Sequence, residues 1–460
     1  MSKTKKSLDN VVASVVQVVI LQLITLIVSR KVLSVYGSDI NGVNAVFTNT
    51  LVWMMLIEGG FTFASSVALF KAFASKDTHQ VNRILSATKK VLNKIGLLVG
   101  LGGIALAFTA PFFIKTTLSY ELLSCMFLLM AFGTYFGLSF TRKYALMFSV
   151  KQELYFKTYI AVFVSIVVNA VVYLIASQNT SYLWIRGVFA LGVVLTGVIT
   201  AVLVRKRYPF ISFGEEPDME AIKGTKDMVF GKFTSLVRSS VPIIYIASVA
   251  GAAYASVYAV YMIIFGFITK LCMMVTNAVQ NSFGQLVAEK DSDEVYKKFR
   301  VFEYAVIFMS LSLISVSTPM TLPFIRFYTR NVHDVDYISW NYVVLFTLIT
   351  FVQMVHIPSG IIMLMAGEFK QAKKIQLNTL ALLILGIVIG GFFGKITGIL
   401  SGVLIAGMFL AGQEIVFTRE KYFGEGFHDL IKALAIIGAT TIGLIALGLS
   451  IVPEDLSFLQ

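Results

Sequence analysis

Long apolar runs alternate with short polar segments along almost the whole chain. Most runs reach about 20 residues, the length that an α-helix needs to cross the hydrocarbon core of a bilayer. The pattern predicts thirteen spanning helices, at residues 11–35, 42–68, 95–115, 121–141, 157–177, 183–204, 228–250, 254–283, 301–323, 337–365, 376–394, 397–418 and 432–452. We therefore expect an all-α, polytopic membrane protein.

The composition supports this prediction. Of the 460 residues, 57% are apolar and 14% are charged, whereas a soluble domain carries about 25% charged residues. One water-soluble core cannot hide so much apolar surface, which excludes the soluble classes of protein. The net charge of +13 would suggest nucleic acid in a soluble protein, but here the basic residues lie mainly between apolar runs. We predict no nucleic-acid partner.

Lysine and arginine also predict the orientation. With the N-terminus in the cytoplasm, 29 of the 38 Lys and Arg residues fall in cytoplasmic segments and 7 fall on the other side. This asymmetry is the positive-inside signal. It assigns Arg142 to Lys157 to a cytoplasmic loop and Arg186 to the outward side, and it leaves Arg238 and Lys270 deep inside predicted spans.

The chain repeats itself at an offset of 214 residues without gaps. Gly37 matches Gly251, and Lys76-Asp77 matches Lys290-Asp291. The offset carries spans 1–6 approximately onto spans 7–12, and both halves start on the same side, as in parallel transporter repeats. We predict a six-helix bundle at 1–204, a cytoplasmic linker at 205–227, a second six-helix bundle at 228–418, and an additional transmembrane helix and tail at 419–460.

Four charged residues lie where lipid should exclude them. A charge near the bilayer centre costs several kcal/mol, so it usually faces a cavity or a partner. We predict that Arg30, Arg238 and Lys270 form a cationic, substrate-binding cleft between the halves, with Glu58 as counter-charge. Such a cleft would attract an anion such as a phosphate or diphosphate. Two alternatives stay open: Arg30 snorkels to the interface, or Glu58 and Lys270 form a structural salt bridge.

Other polar residues suggest coupling or cavity lining. His356, with Gln353 one turn before it and Pro358 just after, is a candidate for proton coupling, or for a hydrogen-bonded helix kink. The inner half of span 8 is unusually polar, as expected of a water-facing wall, with Asn277, Gln280 and Asn281. Gly386, Gly390 and Gly394 recur every four residues, a spacing that allows close helix contact.

Catalytic and cofactor motifs are missing. No GxxxxGK[ST] loop occurs, since Gly231-Lys232 is followed by Phe233, and no HExxH, GxSxG or paired zinc-ligand spacing is present. We therefore predict a transporter without catalytic residues, metal or cofactor. Its energy would come from H+ or Na+ coupling, the membrane potential or the substrate gradient.

The first half carries a recognisable pattern. Arg30, Asn41-Gly42, Glu58-Gly59, Lys76-Asp77 and Lys89-Lys90 stand at matching places in a segment that resembles the bacterial polysaccharide flippases. That family belongs to the MOP superfamily, together with the MATE exporters and the lipid II flippase. The stretches VYAVYMII and NSFGQLVAEKD in the second half are similar to the corresponding family segment.

The resemblance implies two pseudo-symmetric six-helix bundles, V-shaped around a central cavity with alternating access, plus one or more extra C-terminal transmembrane helices. It implies a flippase in the bacterial cytoplasmic membrane that moves a polyprenyl-diphosphate-linked oligosaccharide from the inner to the outer leaflet, for cell-surface polysaccharide assembly. Partners would be this glycan, the lipid bilayer and polysaccharide-assembly proteins. Relatives often carry an acidic residue in helix 7, which Ser239–Ile244 lacks, so that ion-coupling role does not transfer.

Two rival functions stay open. A MATE-like, ion-coupled exporter of small cationic amphiphiles would need a cleft that is acidic on balance, whereas the predicted one has three bases and one acid. A membrane-embedded glycan polymerase or ligase would need a sizeable outward loop for its chemistry, and the predicted outward loops are short.

Overall fold

The computed structural model describes the backbone of residues 3–56, 58–223 and 226–452, with side chains except at 3–15, 59–60, 226–232, 278, 281, 285 and 288. Fourteen α-helices run through these residues: α1 Lys3–Met54, α2 Glu58–Ala74, α3 Thr78–Thr109, α4 Tyr120–Phe136, α5 Arg142–Val150, α6 Leu154–Ser177, α7 Tyr182–Arg207, α8 Lys226–Val249, α9 Ala252–Glu289, α10 Ser292–Tyr328, α11 Trp340–Val355, α12 Ile357–Met365, α13 Phe369–Val416 and α14 His428–Ile451.

Ten helices in the described ranges are long and apolar enough to span a membrane. Two of them, α1 and α13, contain a non-helical residue, Gly37 and Lys395 respectively, at which the chain changes direction. Two shorter apolar helices, Phe61–Ala74 and Phe233–Val249, accompany the ten. The all-α, multi-pass membrane architecture expected from the sequence is confirmed.

Two predicted spans have different limits in the structure. The predicted span 42–68 is interrupted after Met54, where α1 ends, and α2 begins at Glu58. The predicted span 121–141 does not end at a loop, because a π-helical turn over Gly137–Thr141 joins α4 to α5 and extends the rod to Val150. Arg142, assigned to a cytoplasmic loop from its charge, therefore lies within a continuous helical segment and not in a loop.

The chain divides into two compact units, Met1–Leu236 and Val237–Gln460. The 214-residue repeat is visible in the backbone of both. Gly37 and Gly251 each have a positive φ, 80° and 110°, with ψ close to 180°, a conformation essentially restricted to glycine. Asp77 and Asp291 each cap the following helix by accepting a backbone N–H three residues on. The domain limits at 204, 227 and 418 stay a prediction.

The segment after α7 packs on the N-terminal unit over part of its length. The Asn82 side chain on α3 donates to the Phe210 carbonyl and accepts the Ser212 N–H, and Gln80 donates to Asp218. This last hydrogen bond lowers the pKa of the Asp218 carboxyl. The segment 208–223 is thus fastened to α3 in the structure.

The two arms of α13 on either side of Lys395 touch through backbone. A Cβ added to Gly390 would lie 2.1 Å from the Gly398 carbonyl oxygen, and one added to Gly402 would lie 2.4 Å from the Gly386 carbonyl carbon. Only glycine fits there. The close helix contact predicted from the spacing of Gly386 and Gly390 is confirmed, whereas a Cβ added to Gly394 at the turn would meet nothing within 4 Å among the described residues.

A buried ion network fixes α14 to the rest of the C-terminal unit. Arg419, with no exposed side-chain surface, pairs with the equally buried Glu303 of α10 and, at 2.8 Å, with Asp429 of α14. Asp429 also pairs with Arg300 at 2.7 Å. Because a buried charge without partners is costly, this network stabilises one arrangement of α10 and α14.

Candidate functional site: a cationic cavity in the N-terminal unit

A cavity of about 490 Å³ lies inside the N-terminal unit. It is formed by the second arm of α1, by the rod from α4 to α5, and by α6 and α7. Most of its wall is apolar, and its charged lining residues are Arg142, Lys157 and Arg186. A pocket with apolar walls and a few charged groups is the usual form of a small-molecule site.

One face of the α4–α5 rod lines the cavity through residues three or four apart. This face consists of Leu129, Met130, Gly133, Thr134, Gly137, Leu138, Thr141, Arg142 and Ala145. Such spacing keeps side chains on one side of a helix. The Thr141 hydroxyl on this face is buried and has no hydrogen-bond partner among the described residues.

Glu58 and Arg142 form an ion pair beside the cavity. Glu58 is 3% exposed and stands at the first residue of α2, where a carboxylate is stabilised by the free backbone N–H groups of the helix start. The Thr62 hydroxyl donates to it, and Arg142 Nη2 lies 3.3 Å from its Oε2. Arg142 keeps 35% of its side chain exposed, so its guanidinium serves both the carboxylate and the cavity.

Lys157 and Arg186 occupy opposite ends of the cavity. Lys157 lies one turn from the start of α6, and Arg186 lies one turn from the start of the following, antiparallel helix α7. At 1.5 Å per residue the two levels are roughly 25 Å apart. Arg186 donates to the Tyr182 hydroxyl and stacks over the Phe189 ring, with its Cζ 5.2 Å from the centroid. The cavity therefore offers positive charge at two depths.

The net charge of this site is positive, since three cations accompany one carboxylate. Coulomb interactions are stronger beside low-dielectric walls than in water, and a cleft of one sign concentrates ligands of the other. Arginine and lysine bind phosphate oxygens through charge-assisted hydrogen bonds. The arrangement suits an anionic group with apolar parts.

The predicted binding residues Arg30, Arg238 and Lys270 do not line this cavity. Arg30 is half-buried on α1, and Lys270 is exposed on α9, while Arg238 lines a separate small cavity in the C-terminal unit. Neither Arg30 nor Lys270 lines the N-terminal cavity. The partner of Glu58 in the N-terminal unit is Arg142, a residue that sequence reasoning had placed in a loop. The cleft between halves stays a prediction.

The predicted polar lining on α9 has a mixed outcome. Asn277 is exposed and Gln280 is half-buried, and the side chain of Asn281 lies outside the described residues. None of the three lines the N-terminal cavity. Sequence reasoning missed Arg142, Lys157 and Arg186 as site residues. The signal that could have found them is the small-residue face that leads from Gly133 through Gly137 to Arg142.

The C-terminal unit contains a second polar cluster. Arg238 of α8 and Gln353 of α11 line a cavity of about 10 Å³ together with His356, which lies at the break between α11 and α12. His356 Nδ1 is hydrogen-bonded to Glu414 Oε2 of α13 at 2.7 Å. The sequence suggested either a hydrogen-bonded helix kink or proton coupling at His356. In the structure the helix is broken at His356, and the residue forms a titratable pair with Glu414.

No family model matches the chain, and no curated protein matches it in sequence. Solved structures do match. The inward-facing conformation of a multidrug resistance MATE family transporter of the MOP superfamily superposes with a TM-score of 0.67 at 10% identity, over 92% of this chain and 95% of that one.

Two further structures give the same result. The MATE multidrug transporter DinF-BH matches with a TM-score of 0.61 at 13% identity, over 92% and 96% of the two chains. The lipid II flippase MurJ, in an inward closed conformation, matches with a TM-score of 0.63 at 14% identity, over 96% and 93%. The chain has the fold that MATE transporters share with the lipid II flippase.

Proposed function

We propose that this protein is a flippase that moves a polyprenyl-diphosphate-linked oligosaccharide from the inner to the outer leaflet of the bacterial cytoplasmic membrane, for cell-surface polysaccharide assembly. The observation that carries the proposal is the cavity lined by Arg142, Lys157 and Arg186. A diphosphate carries the charge that these residues complement, while a prenyl chain can stay in the bilayer. The N-terminus is proposed to be cytoplasmic, on the positive-inside asymmetry.

The depth of the cationic residues supports translocation rather than simple binding. Lys157 and Arg186 stand near opposite ends of the same cavity, so an anionic headgroup can exchange one cation for the other as it crosses. Arg142, held in place by Glu58, lies within the α4–α5 rod and away from both ends of that rod. The fold supports the same interpretation, because the matched proteins are a transporter of multiple drugs and a flippase of lipid II.

The sign of the cavity charge argues against the rival exporter of cationic amphiphiles. A cationic drug would meet three bases and a carboxylate that is already paired. Export driven by H+ or Na+ in exchange for such a drug would need a free acid in the cavity. The matched structures are transporters or flippases, which favours transport over a glycan polymerase or ligase.

The test is headgroup translocation by purified protein in vesicles. A fluorescent polyprenyl-diphosphate oligosaccharide is placed in one leaflet, and its arrival in the other is followed by a membrane-impermeant quencher. We expect Arg142→Gln, Lys157→Gln and Arg186→Gln each to slow transfer by about tenfold or more, because each removes a charge-assisted hydrogen bond worth about 1.5–3 kcal/mol.

Lys143→Gln is the matched control. Lys143 follows Arg142 directly, but its ammonium lies 5.3 Å from the Phe140 ring centroid and 6.0 Å from that of Phe213, and it does not line the cavity. It should transfer at the wild-type rate. Wild-type protein that moves no polyprenyl-diphosphate glycan, or a depleted strain that accumulates no inner-leaflet precursor, would refute the flippase assignment.

A further inference from the structure

The polar cluster of the C-terminal unit is not used by the anion cavity of the N-terminal unit. It joins Arg238, Gln353, His356 and Glu414 around the point where α11 gives way to α12. His356 and Glu414 have 12% and 6% of their side chains exposed and are 2.7 Å apart. A titratable pair this deep in an apolar bundle is expensive to keep unless it has a use.

The space around the pair is nearly closed. The adjoining cavity of about 10 Å³ has room for at most one water molecule. The Glu414 carboxylate also lies against α12, since a Cβ added to Gly360 would come 2.9 Å from its Oε2. The carboxylate is therefore held between His356 and Gly360, which lies one helical turn after His356.

The charges in the cluster balance only when His356 is neutral. Arg238 from α8 and Glu414 from α13 are the charged groups that face the imidazole among the described side chains. α9 and α10 pack on the segment from Val355 to Ile362, around the helix break, through apolar side chains, namely Val279, Phe283, Ile307 and Leu311. With Glu414 ionised, Nδ1 of a neutral His356 must carry the proton and donate to the carboxylate.

The repeat shows what is unusual about His356. It lies 214 residues after Arg142, and both residues stand where a helix leaves regular α geometry. Each is paired with a buried carboxylate, Glu58 or Glu414. The N-terminal unit thus has a permanent cation at this position, whereas the C-terminal unit has the one side chain whose charge changes near neutral pH.

We propose that His356, Glu414 and Arg238 form a proton-binding site of the C-terminal unit. A proton from water binds to Nε2 of His356 and produces an imidazolium, which keeps its Nδ1–H donated to Glu414. The cluster then has one positive charge more than its acids can balance. The proposal rests on the proposed function only for its role in transport, not for the binding of the proton itself.

Proton binding should loosen the break between α11 and α12. An unbalanced charge in a nearly dry site is destabilised, and the cheapest relief is entry of water or of an anion beside His356. Pro358 at the start of α12 leaves a helix start with few backbone hydrogen bonds to lose. Protonation of His356 is thus coupled to entry of water or an anion at the break between α11 and α12. Low pH should therefore favour the loosened form of this break.

The first test is histidine NMR on the full chain in lipid nanodiscs, with ¹⁵N in the four histidines. The spectrum of His356→Gln identifies the His356 signals. We expect the His356 signals to report proton binding as the pH falls in the wild type, and the midpoint of that change to differ in Glu414→Gln, because the carboxylate bonded to Nδ1 is gone. A Glu414→Gln variant with an unchanged midpoint, or a wild-type His356 that never binds a proton down to about pH 4 (roughly two units below its ordinary value), would overturn the proposal.

Two variants separate charge from packing. Gly360→Ala keeps every titratable group but displaces the Glu414 carboxylate, so the His356 midpoint should also change. His333→Gln, at an exposed loop position, should leave it unchanged. A Gly360→Ala midpoint equal to that of the wild type would contradict the assigned contact.

The second test measures hydrogen exchange over residues 350–366 at two pH values, corrected for the intrinsic pH dependence. Exchange should rise at the lower pH in the wild type and not in His356→Gln. In flipping assays His356→Gln should abolish the pH dependence of transfer. If wild-type protein transfers no glycan while the NMR and exchange results hold, the proposed function fails and the proton site stands.

Discussion

The Glu58–Arg142 pair allows a decisive test of the anion cavity. Arg142→Gln removes a cation that lines the cavity and at the same time leaves Glu58, only 3% exposed, without its ion partner. Removing one partner of a fully buried pair costs about 3–5 kcal/mol. Because Arg142 is 35% exposed, we expect a smaller loss of stability, about 1–3 kcal/mol.

The effect on anion binding can be worked out separately. A charged hydrogen bond to a phosphate oxygen contributes about 1.5–3 kcal/mol, which corresponds to a roughly 10- to 150-fold weaker Kd. Glu58→Gln should make the electrostatic potential of the cavity more positive, since it removes the carboxylate and frees the Arg142 guanidinium. We expect it to bind a diphosphate at least as tightly as the wild type.

The double variant Glu58→Gln, Arg142→Gln separates the two contributions. It keeps the net charge of the site but removes the direct contact, and it leaves no unpaired buried charge. We expect its stability to return to near the wild-type value, while its Kd for a diphosphate stays weakened as in Arg142→Gln, because Arg142 lines the cavity and Glu58 does not.

The assay is calorimetric titration of detergent-purified protein with a soluble prenyl diphosphate, together with thermal unfolding of each variant. A double variant with the wild-type Kd would refute direct contact between Arg142 and the diphosphate. Only the net charge of the site would then explain binding. Four equal Kd values would show that neither Arg142 nor Glu58 contributes to binding of the diphosphate.

Three further predictions concern the scaffold. Gly251→Ala should lower the unfolding free energy by about 1–3 kcal/mol, because φ of 110° is strained for any residue with a Cβ; thermal unfolding tests this, and an unchanged Tm contradicts it. Arg419→Met should destabilise more than Arg419→Met combined with Glu303→Gln, since only the single variant strands a buried carboxylate; equal Tm values would dismiss the network. The pKa of the Asp218 carboxyl is lowered from its ordinary value of 3.8, so its hydrogen bond with Gln80 stabilises docking of segment 208–223 above pH 3.8, and this stabilisation is lost as the pH falls through the lowered pKa. Proteolysis of the segment should accelerate in that pH range, and Asp218→Asn should abolish the change.

Much of the fold follows from the sequence because its signals are local. Apolar length identifies the spans, and a glycine with positive φ followed by an aspartate cap marks the same points in both halves at Gly37, Asp77, Gly251 and Asp291. These features need no knowledge of which helices touch. The repeat was detectable for the same reason.

The cationic cavity of the N-terminal unit could not be predicted, because charge at a helix end resembles charge in a loop. Arg142-Lys143 follows an apolar run, so hydropathy ends the span before it, although the π-helical turn at Gly137–Thr141 carries the helix on. Whether Arg142 or Lys143 faces inward depends on the rotation of the rod, which only its packing against α1 and α7 decides. Sequence also places Lys270 deep in a span without revealing that its side chain is exposed.

The glycine contacts between the two arms of α13 also matter before the protein is folded. Helices of a polytopic protein enter the bilayer as they leave the ribosome, and each needs a neighbour that matches its surface. The arms that meet at Gly390 and Gly398 are separated by a turn at Lys395, so they are made one after the other and fit each other backbone to backbone. This hairpin should therefore close as soon as its second arm has been made, before α14 follows it.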